Sequence, residues 1–201
     1  VSYNLDHSIK RRQISENIAN LAERGTGLFC LQEVRTPKNG EEFIGDSILK
    51  NLGEGWLGQF FLGTRSNNDY GLGFIWNTKA LELVEFHNLS FPLLPKLTLL
   101  DRFIESFLSG DTRPVKRGGM VATFKAGTKV FRVSNMHLDW QGKFKQRFKQ
   151  FQYLFEYLQA SPALNEIIIG DVNTLGFFGN AAQIKKIQVL LGPDFINFFP
   201  Q

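Results

Sequence analysis

A single cysteine, Cys30, stands among 201 residues. An intramolecular disulfide and a cysteine-rich zinc site are both excluded, and core packing alone has to hold the fold. No stretch approaches the roughly 20 apolar residues that span a bilayer. No basic, apolar and small-residue sequence opens the chain as a secretory signal would, and the chain reads as soluble; because it starts at Val and not Met, the missing signals say little about location, which stays unknown with the cytoplasm as the default expectation. Internal repeats, low-complexity tracts and long Gly/Ser linkers are missing as well, which leaves one domain over residues 1–201 as the expectation. Charge of one sign is scarce: 23 Lys plus Arg against 19 Asp plus Glu leave a net +4. A surplus that thin does not by itself mark a polyanion binder.

Apolar material, by contrast, is ample. Hydrophobic residues make up 43% of the chain and include 20 Phe, enough for a well-buried core. Short, nearly continuous apolar runs read as buried strands at Val1–Leu5, Leu28–Val34, Leu72–Trp76, Met120–Phe124, Val130–Met136 and Ile167–Ile169. Helical spacing over Ile9–Arg24 puts Ile14, Ile18 and Leu21 on one face, and Gly25 is suited to end that helix in the left-handed conformation. Two further helices are expected over Phe144–Leu158 and Ala181–Leu191, the latter stopped by Gly192-Pro193. The run Lys143, Lys145, Arg147 and Lys149 reads as the solvated face of the first of these. Leu89–Gly110, with Pro92, Pro95 and an apolar stripe from Leu100 to Leu108, has the character of an inserted rim helix or lid.

Polar residues cluster where the strands end. Asn4 closes the first run, Gln32-Glu33 the second, Asn135 and His137 the fifth, and Asp171 and Asn173 follow the sixth. Asn-x-His and Asp-x-Asn have the period-2 spacing that puts both side chains on one face of an extended chain. Carboxylates, carboxamides and one imidazole without a thiolate suit a hard, oxygen-preferring cation, Mg²⁺ or its substitute Mn²⁺, better than zinc. Singly, each residue has a plainer reading. Asn4 can open a turn, Glu33 can pair with Arg35, His137 can be a hydrogen-bonded core histidine, and Asp171 with Asn173 can form a turn and helix cap. His7 and His87 sit in no motif and read as structural.

In order along the chain, Ser2–Asn4 (SYN), Leu31–Val34 (LQEV), Gly71–Asn77 (GLGFIWN), Arg117–Phe124 (RGGMVATF), Ser134–Trp140 (SNMHLDW) and Gly170–Thr174 (GDVNT) resemble the motifs of the endonuclease/exonuclease/phosphatase superfamily. The resemblance covers nearly the whole chain. It implies an α/β fold, a four-layer α/β/β/α sandwich of two packed mixed sheets with helices outside. It also implies a Mg²⁺-dependent phosphoesterase acting by in-line attack of water, monomeric, on nucleic acid, a lipid headgroup or a soluble phosphoester. Carried over residue by residue, Glu33 with Asn4 would hold the metal and Asp171 would deprotonate or orient the water. Asn135 and Asn173 would position these groups, His137 would contact the scissile phosphate, and Arg117 would bind it. Asp69 lies near where some relatives carry an acidic partner for that histidine. One departure stands out: the Asp-His pair that closes the family's pattern has no counterpart after Asn173, so the chain is expected to lack the last strands. That leaves a second reading, a non-catalytic phosphate- or polyanion-binding module that keeps the pocket.

Overall fold

The computed structural model describes residues 1–5, 10–37, 40–62, 70–92, 117–138, 144–163, 165–173 and 180–196. In chain order the elements are β1 (Ser2–Asn4), α1 (Arg11–Glu23), β2 (Leu28–Arg35), α2 (Ile44–Leu52), β3 (Trp56–Phe61), β4 (Tyr70–Asn77), β5 (Glu82–Ser90), β6 (Gly118–Ala126), β7 (Lys129–His137), α3 (Phe144–Ala160), β8 (Glu166–Asp171) and α4 (Asn180–Leu191). Two four-stranded sheets form, ordered β1-β2-β4-β3 and β5-β6-β7-β8. Each is mixed. β1 runs parallel to β2 and β7 parallel to β8, and the remaining pairs are antiparallel.

Three apolar layers hold the sheets and helices together. Alternate residues of each central strand face opposite ways, so Phe29, Leu31 and Ile75 join Ile14, Ile18, Ile44 and Ile48 beneath α1 and α2. Their neighbours Cys30, Leu72, Phe74 and Trp76 face Met120, Ala122, Phe124 and Val133 of the second sheet. Phe74 meets Phe124 edge to face with centroids 5.9 Å apart, an arrangement that aromatic quadrupoles favour. On the far side, Val121 and Met136 pack against Phe151, Leu154 and Leu158 of α3 and Ile187 of α4. The result is the α/β/β/α sandwich that the motifs imply.

Local sequence explains several boundaries. α1 ends as expected: Gly25 takes φ 92°, its N–H bonds the Ala22 carbonyl, and the Thr26 N–H reaches back to Leu21, the Schellman pattern. α2, β3 and β5 have no counterpart among the expected elements. His87 lies on β5, where it pairs with Glu85 at 2.8 Å. The expected insertion begins later than Leu89, because Leu89 is still a strand residue paired with Gly119 and Phe91 donates its N–H to the Arg117 carbonyl. Residues 93–116 lie outside the described residues, as do His7, Asp69 and Lys143. Arg147 departs from the solvated face expected for its run, since it is buried while Lys145 and Lys149 are exposed. Among the described residues, no helix is long and apolar enough to cross a membrane.

Candidate active site

Parallel pairing decides which strand ends meet. Asn4 lies beside Gln32 and His137 beside Asp171, so β1, β2, β7 and β8 all finish at one edge of the sandwich. β6 runs the other way and begins there, with Gly118 paired to His137. Arg117 immediately precedes it.

Glu33 reaches this edge through a defect in β2. The ladder with β4 shifts register between Gln32 and Val34, and Glu33 at the shift has φ 58°. Strict alternation would send the Glu33 side chain toward the helices with Phe29 and Leu31. The bulge gives that place to Val34, which is fully buried among them, and turns the carboxylate toward the sheet edge. A left-handed glutamate is strained by about 1–3 kcal/mol.

The carboxylates of Glu33 and Asp171 meet across the two sheets. Asn4 Nδ2 donates to Asp171 Oδ2 at 3.0 Å and to Glu33 Oε1 at 3.3 Å. His137 Nε2 is 4.0 Å from Glu33 Oε1 and 4.0 Å from Asp171 Oδ2, too far for a direct hydrogen bond. One ligand atom from each of Glu33, His137 and Asp171 falls within 4.8 Å of the others. Asp171 is further oriented by an Asx turn, its Oδ1 accepting the Asn173 N–H at 2.8 Å. Asn173 adopts φ 48° and anchors its own amide on the Leu138 carbonyl at 2.7 Å.

The other ring nitrogen of His137 faces Arg117, whose Nη1 is 3.1 Å from Nδ1. A guanidinium can only donate. Nδ1 therefore carries the lone pair and Nε2 carries the hydrogen, which points toward the two carboxylates. In this tautomer the imidazole is a donor to an anionic oxygen and has no lone pair to offer a cation on that side. The oxygen donors of Glu33 and Asp171, with the Asn4 carboxamide beside them, remain the set that fits a hard divalent ion.

Two of the candidate residues act at one remove from the carboxylates. Asn135 does share a face with His137, but it is fully buried between the sheets, with Nδ2 donating to the Leu31 and Gly73 carbonyls at 2.9 and 3.1 Å and Oδ1 accepting from Gln32 at 2.7 Å. It touches the opposite sheet, not the open edge. Arg117 reaches the site through the imidazole, behind the nitrogen that faces the carboxylates, instead of lying beside them. Beside Asn4 a cleft of about 190 Å³ opens between β1 and α1, lined by Tyr3, Leu5, Lys10, Gln13, Ile14 and Asn17.

No protein-family profile matches the chain, and no curated protein matches it by sequence. Solved structures do match. The 2′,3′-cyclic phosphatase ANGEL2 superposes with TM-score 0.63 at 18% identity, over 89% of this chain and 47% of that one. D. rerio TDP2 in complex with a single-strand DNA product gives 0.61 at 17%, over 92% and 62%. An endonuclease/exonuclease/phosphatase family protein of Bacteroides thetaiotaomicron gives 0.61 at 19%, over 86% and 62%. The chain has the endonuclease/exonuclease/phosphatase fold. It spans between 47% and 62% of the length of these three structures. At these identities the likeness establishes the fold of the superfamily, and the chemistry rests on the strand-end residues.

Proposed function

We propose that the chain is a divalent-cation-dependent phosphoesterase that hydrolyses a phosphodiester or phosphomonoester by in-line attack of water, with Mg²⁺ as its ion and Mn²⁺ as substitute. The observation that carries this reading is the convergence of Glu33, Asp171 and the Nε2–H of His137 within 4.8 Å. They meet at the edge of a fold whose solved examples include a 2′,3′-cyclic phosphatase and a protein bound to a DNA product.

Glu33, with the Asn4 carboxamide beside it, would hold the cation. When bound, that ion supplies a positive charge against which phosphoryl oxygens become less negative. Asp171, fixed by Asn4 and by the Asn173 N–H, would take a proton from the attacking water. As the new P–O bond forms and the ester P–O bond breaks, the leaving alkoxide would take a proton from solvent, and the His137 Nε2–H would hydrogen-bond to a phosphoryl oxygen that gains negative charge, an oxyanion-type contribution. Arg117 would keep that hydrogen on Nε2. The organic part of the ester has room in the cleft beside Asn4, where the carboxamides of Asn4, Gln13 and Asn17 and the ammonium of Lys10 favour a polar group.

A hydrolysis panel tests the reading: 2′,3′-cyclic nucleotides, DNA oligonucleotides, sugar phosphates and phospholipid headgroups, each with Mg²⁺, Mn²⁺ or EDTA. Turnover of at least one ester that requires the cation and is lost in Glu33→Gln and Asp171→Asn is the expected result. Cation-dependent binding of a phosphoester without turnover would instead favour the non-catalytic module. Neither binding nor turnover would remove the proposal.

A further inference from the structure

The inter-sheet layer is apolar over Cys30, Leu72, Phe74, Trp76, Met120, Ala122, Phe124 and Val133, and two buried carboxamides interrupt it next to the site. Gln32 is 2% exposed and Asn135 is 0% exposed. Gln32 Nε2 donates to Asn135 Oδ1 at 2.7 Å and to the Cys30 carbonyl at 3.0 Å, and Asn135 Nδ2 spends both hydrogens on the Leu31 and Gly73 carbonyls. The Ser2 hydroxyl closes the chain on Gln32 Oε1 at 3.1 Å. Asn135 must turn its amino group to two carbonyls, so its oxygen faces Gln32, which must then present nitrogen and leave its own oxygen for Ser2. Every amide orientation is determined by its neighbours.

Stability is a poor explanation for this network. Replacing both partners of a buried hydrogen bond by apolar groups of similar shape is often nearly neutral, and the layer around the pair is built that way. Position is the better explanation. The network grips the Leu31 carbonyl and the Gln32 side chain, the two residues before the left-handed turn at Glu33, and it does so from Asn135, two residues before His137 on the same face. It therefore ties the sheet that carries Glu33 to the sheet that carries His137 and Asp171.

We propose that Gln32 and Asn135 are positioning residues that fix where Glu33 presents its carboxylate to the cation, opposite Asp171 and His137. This rests on the phosphoesterase reading given above. The test uses the full chain and Mn²⁺ alone, with affinity measured by titration calorimetry and the cation-free melting temperature measured in EDTA. Gln32→Met strands the Asn135 oxygen and should lower both. In the double variant Gln32→Met with Asn135→Leu the melting temperature should recover, while Mn²⁺ affinity stays down by about tenfold or more, the range seen when groups behind metal ligands are lost. A purely structural pair would recover in both measurements together, so a double variant with wild-type melting and wild-type affinity overturns the proposal and leaves the phosphoesterase reading standing. Should the double variant fail to fold, Ser2→Ala serves instead, since Ser2 is exposed and its hydroxyl locks the Gln32 amide. Weaker Mn²⁺ binding at unchanged melting supports the proposal, and unchanged binding overturns it. Wild-type chain that does not bind Mn²⁺ at all removes both the proposal and the cation-dependent reading, a result distinct from the others.

Discussion

Glu33 combines two destabilising features, and they separate by substitution. Its φ of 58° is strained for a non-glycine residue by about 1–3 kcal/mol. Its carboxylate also faces that of Asp171, with ligand atoms within 4.8 Å, and two like charges at that distance repel by roughly 1–3.5 kcal/mol for an effective dielectric between 80 and 20. The Asn4 amide, donating to both, offsets part of this. Glu33→Gln removes the charge and keeps the strained backbone. Glu33→Gly removes both, although glycine returns about 0.5–1 kcal/mol through the entropy of the unfolded chain. In EDTA, the Glu33→Gln variant should therefore match or exceed wild type, and the glycine variant should exceed the glutamine variant by about 1 kcal/mol. That is about 2–4 °C in melting temperature for a chain of this length. Urea unfolding followed by tryptophan fluorescence and by far-ultraviolet circular dichroism measures the difference. Saturating Mg²⁺ should reverse the order, because a cation at 100 times its Kd stabilises wild type by about 2.7 kcal/mol and neither variant has the ligand. A glycine variant clearly less stable than the glutamine variant in EDTA would refute the strain argument. Equal Mg²⁺ stabilisation of wild type and Glu33→Gln would refute the ligand assignment.

Asp171→Asn should lower turnover by ~10²–10⁴ as a general base is lost, with Mn²⁺ binding retained through Glu33, whereas His137→Ala should cost roughly 3–4 kcal/mol of transition-state stabilisation. Near-wild-type turnover in Asp171→Asn on every ester tested would end the hydrolytic mechanism. Arg117→Met should reduce turnover by about tenfold, the equivalent of one charge-assisted hydrogen bond. Nitrogen-15 shifts of His137 in EDTA should show the hydrogen on Nε2 in wild type and a mixture of tautomers in the variant. Gly170→Ala should destabilise by about 2 kcal/mol or more, because φ is 138° and an added Cβ would lie 2.0 Å from the Met136 carbonyl oxygen, one residue before the His137–Asp171 pair. Burial pushes the Cys30 thiol up to about 12 from 9.0. An acid whose folded pKa is raised loses stability as pH climbs from the unfolded value to the folded one, so wild type should lose stability relative to Cys30→Ala as pH rises above 9. A disulfide-exchange reagent at pH 8 should label Cys30 only after unfolding, and labelling of the native chain would contradict its burial.

Much of the architecture follows from periodicity, which is a local property. Continuous apolar runs mark β2, β4, β6 and β7 because each is covered on both faces, and the 3.6-residue stripes mark α1 and α3 because one face of each is covered. Hydrophobic patterning also places polar residues at strand ends, so Asn4, Glu33, His137, Asp171 and Asn173 are recognisable as a candidate set before any packing is known. Patterning fails where the covering layer is partial or where packing overrides propensity. β5 shows an irregular burial sequence and exposes Val84, so no alternation survives in its residues. α2 carries Gly45, a weak helix former, because a Cβ there would lie 2.5 Å from ring atoms of Phe43 and Phe60.

Function depends still more on what is distant in sequence. Period-2 spacing puts Asn135 and His137 on one face, but only the packing of the first sheet over the second decides that Asn135 is sealed between them while His137, also buried, ends its strand beside Glu33 and Asp171. Nothing within LQEV announces that Glu33 turns left-handed to leave Val34 its place in the core. That is decided by β4, whose register shift absorbs the extra residue. The tautomer of His137 is likewise set by a guanidinium 20 positions away. Residue types and periods are written in the chain because they act over a few bonds, whereas the convergence of Glu33, His137 and Asp171 to within 4.8 Å depends on two sheets packing face to face, an outcome no local segment encodes by itself.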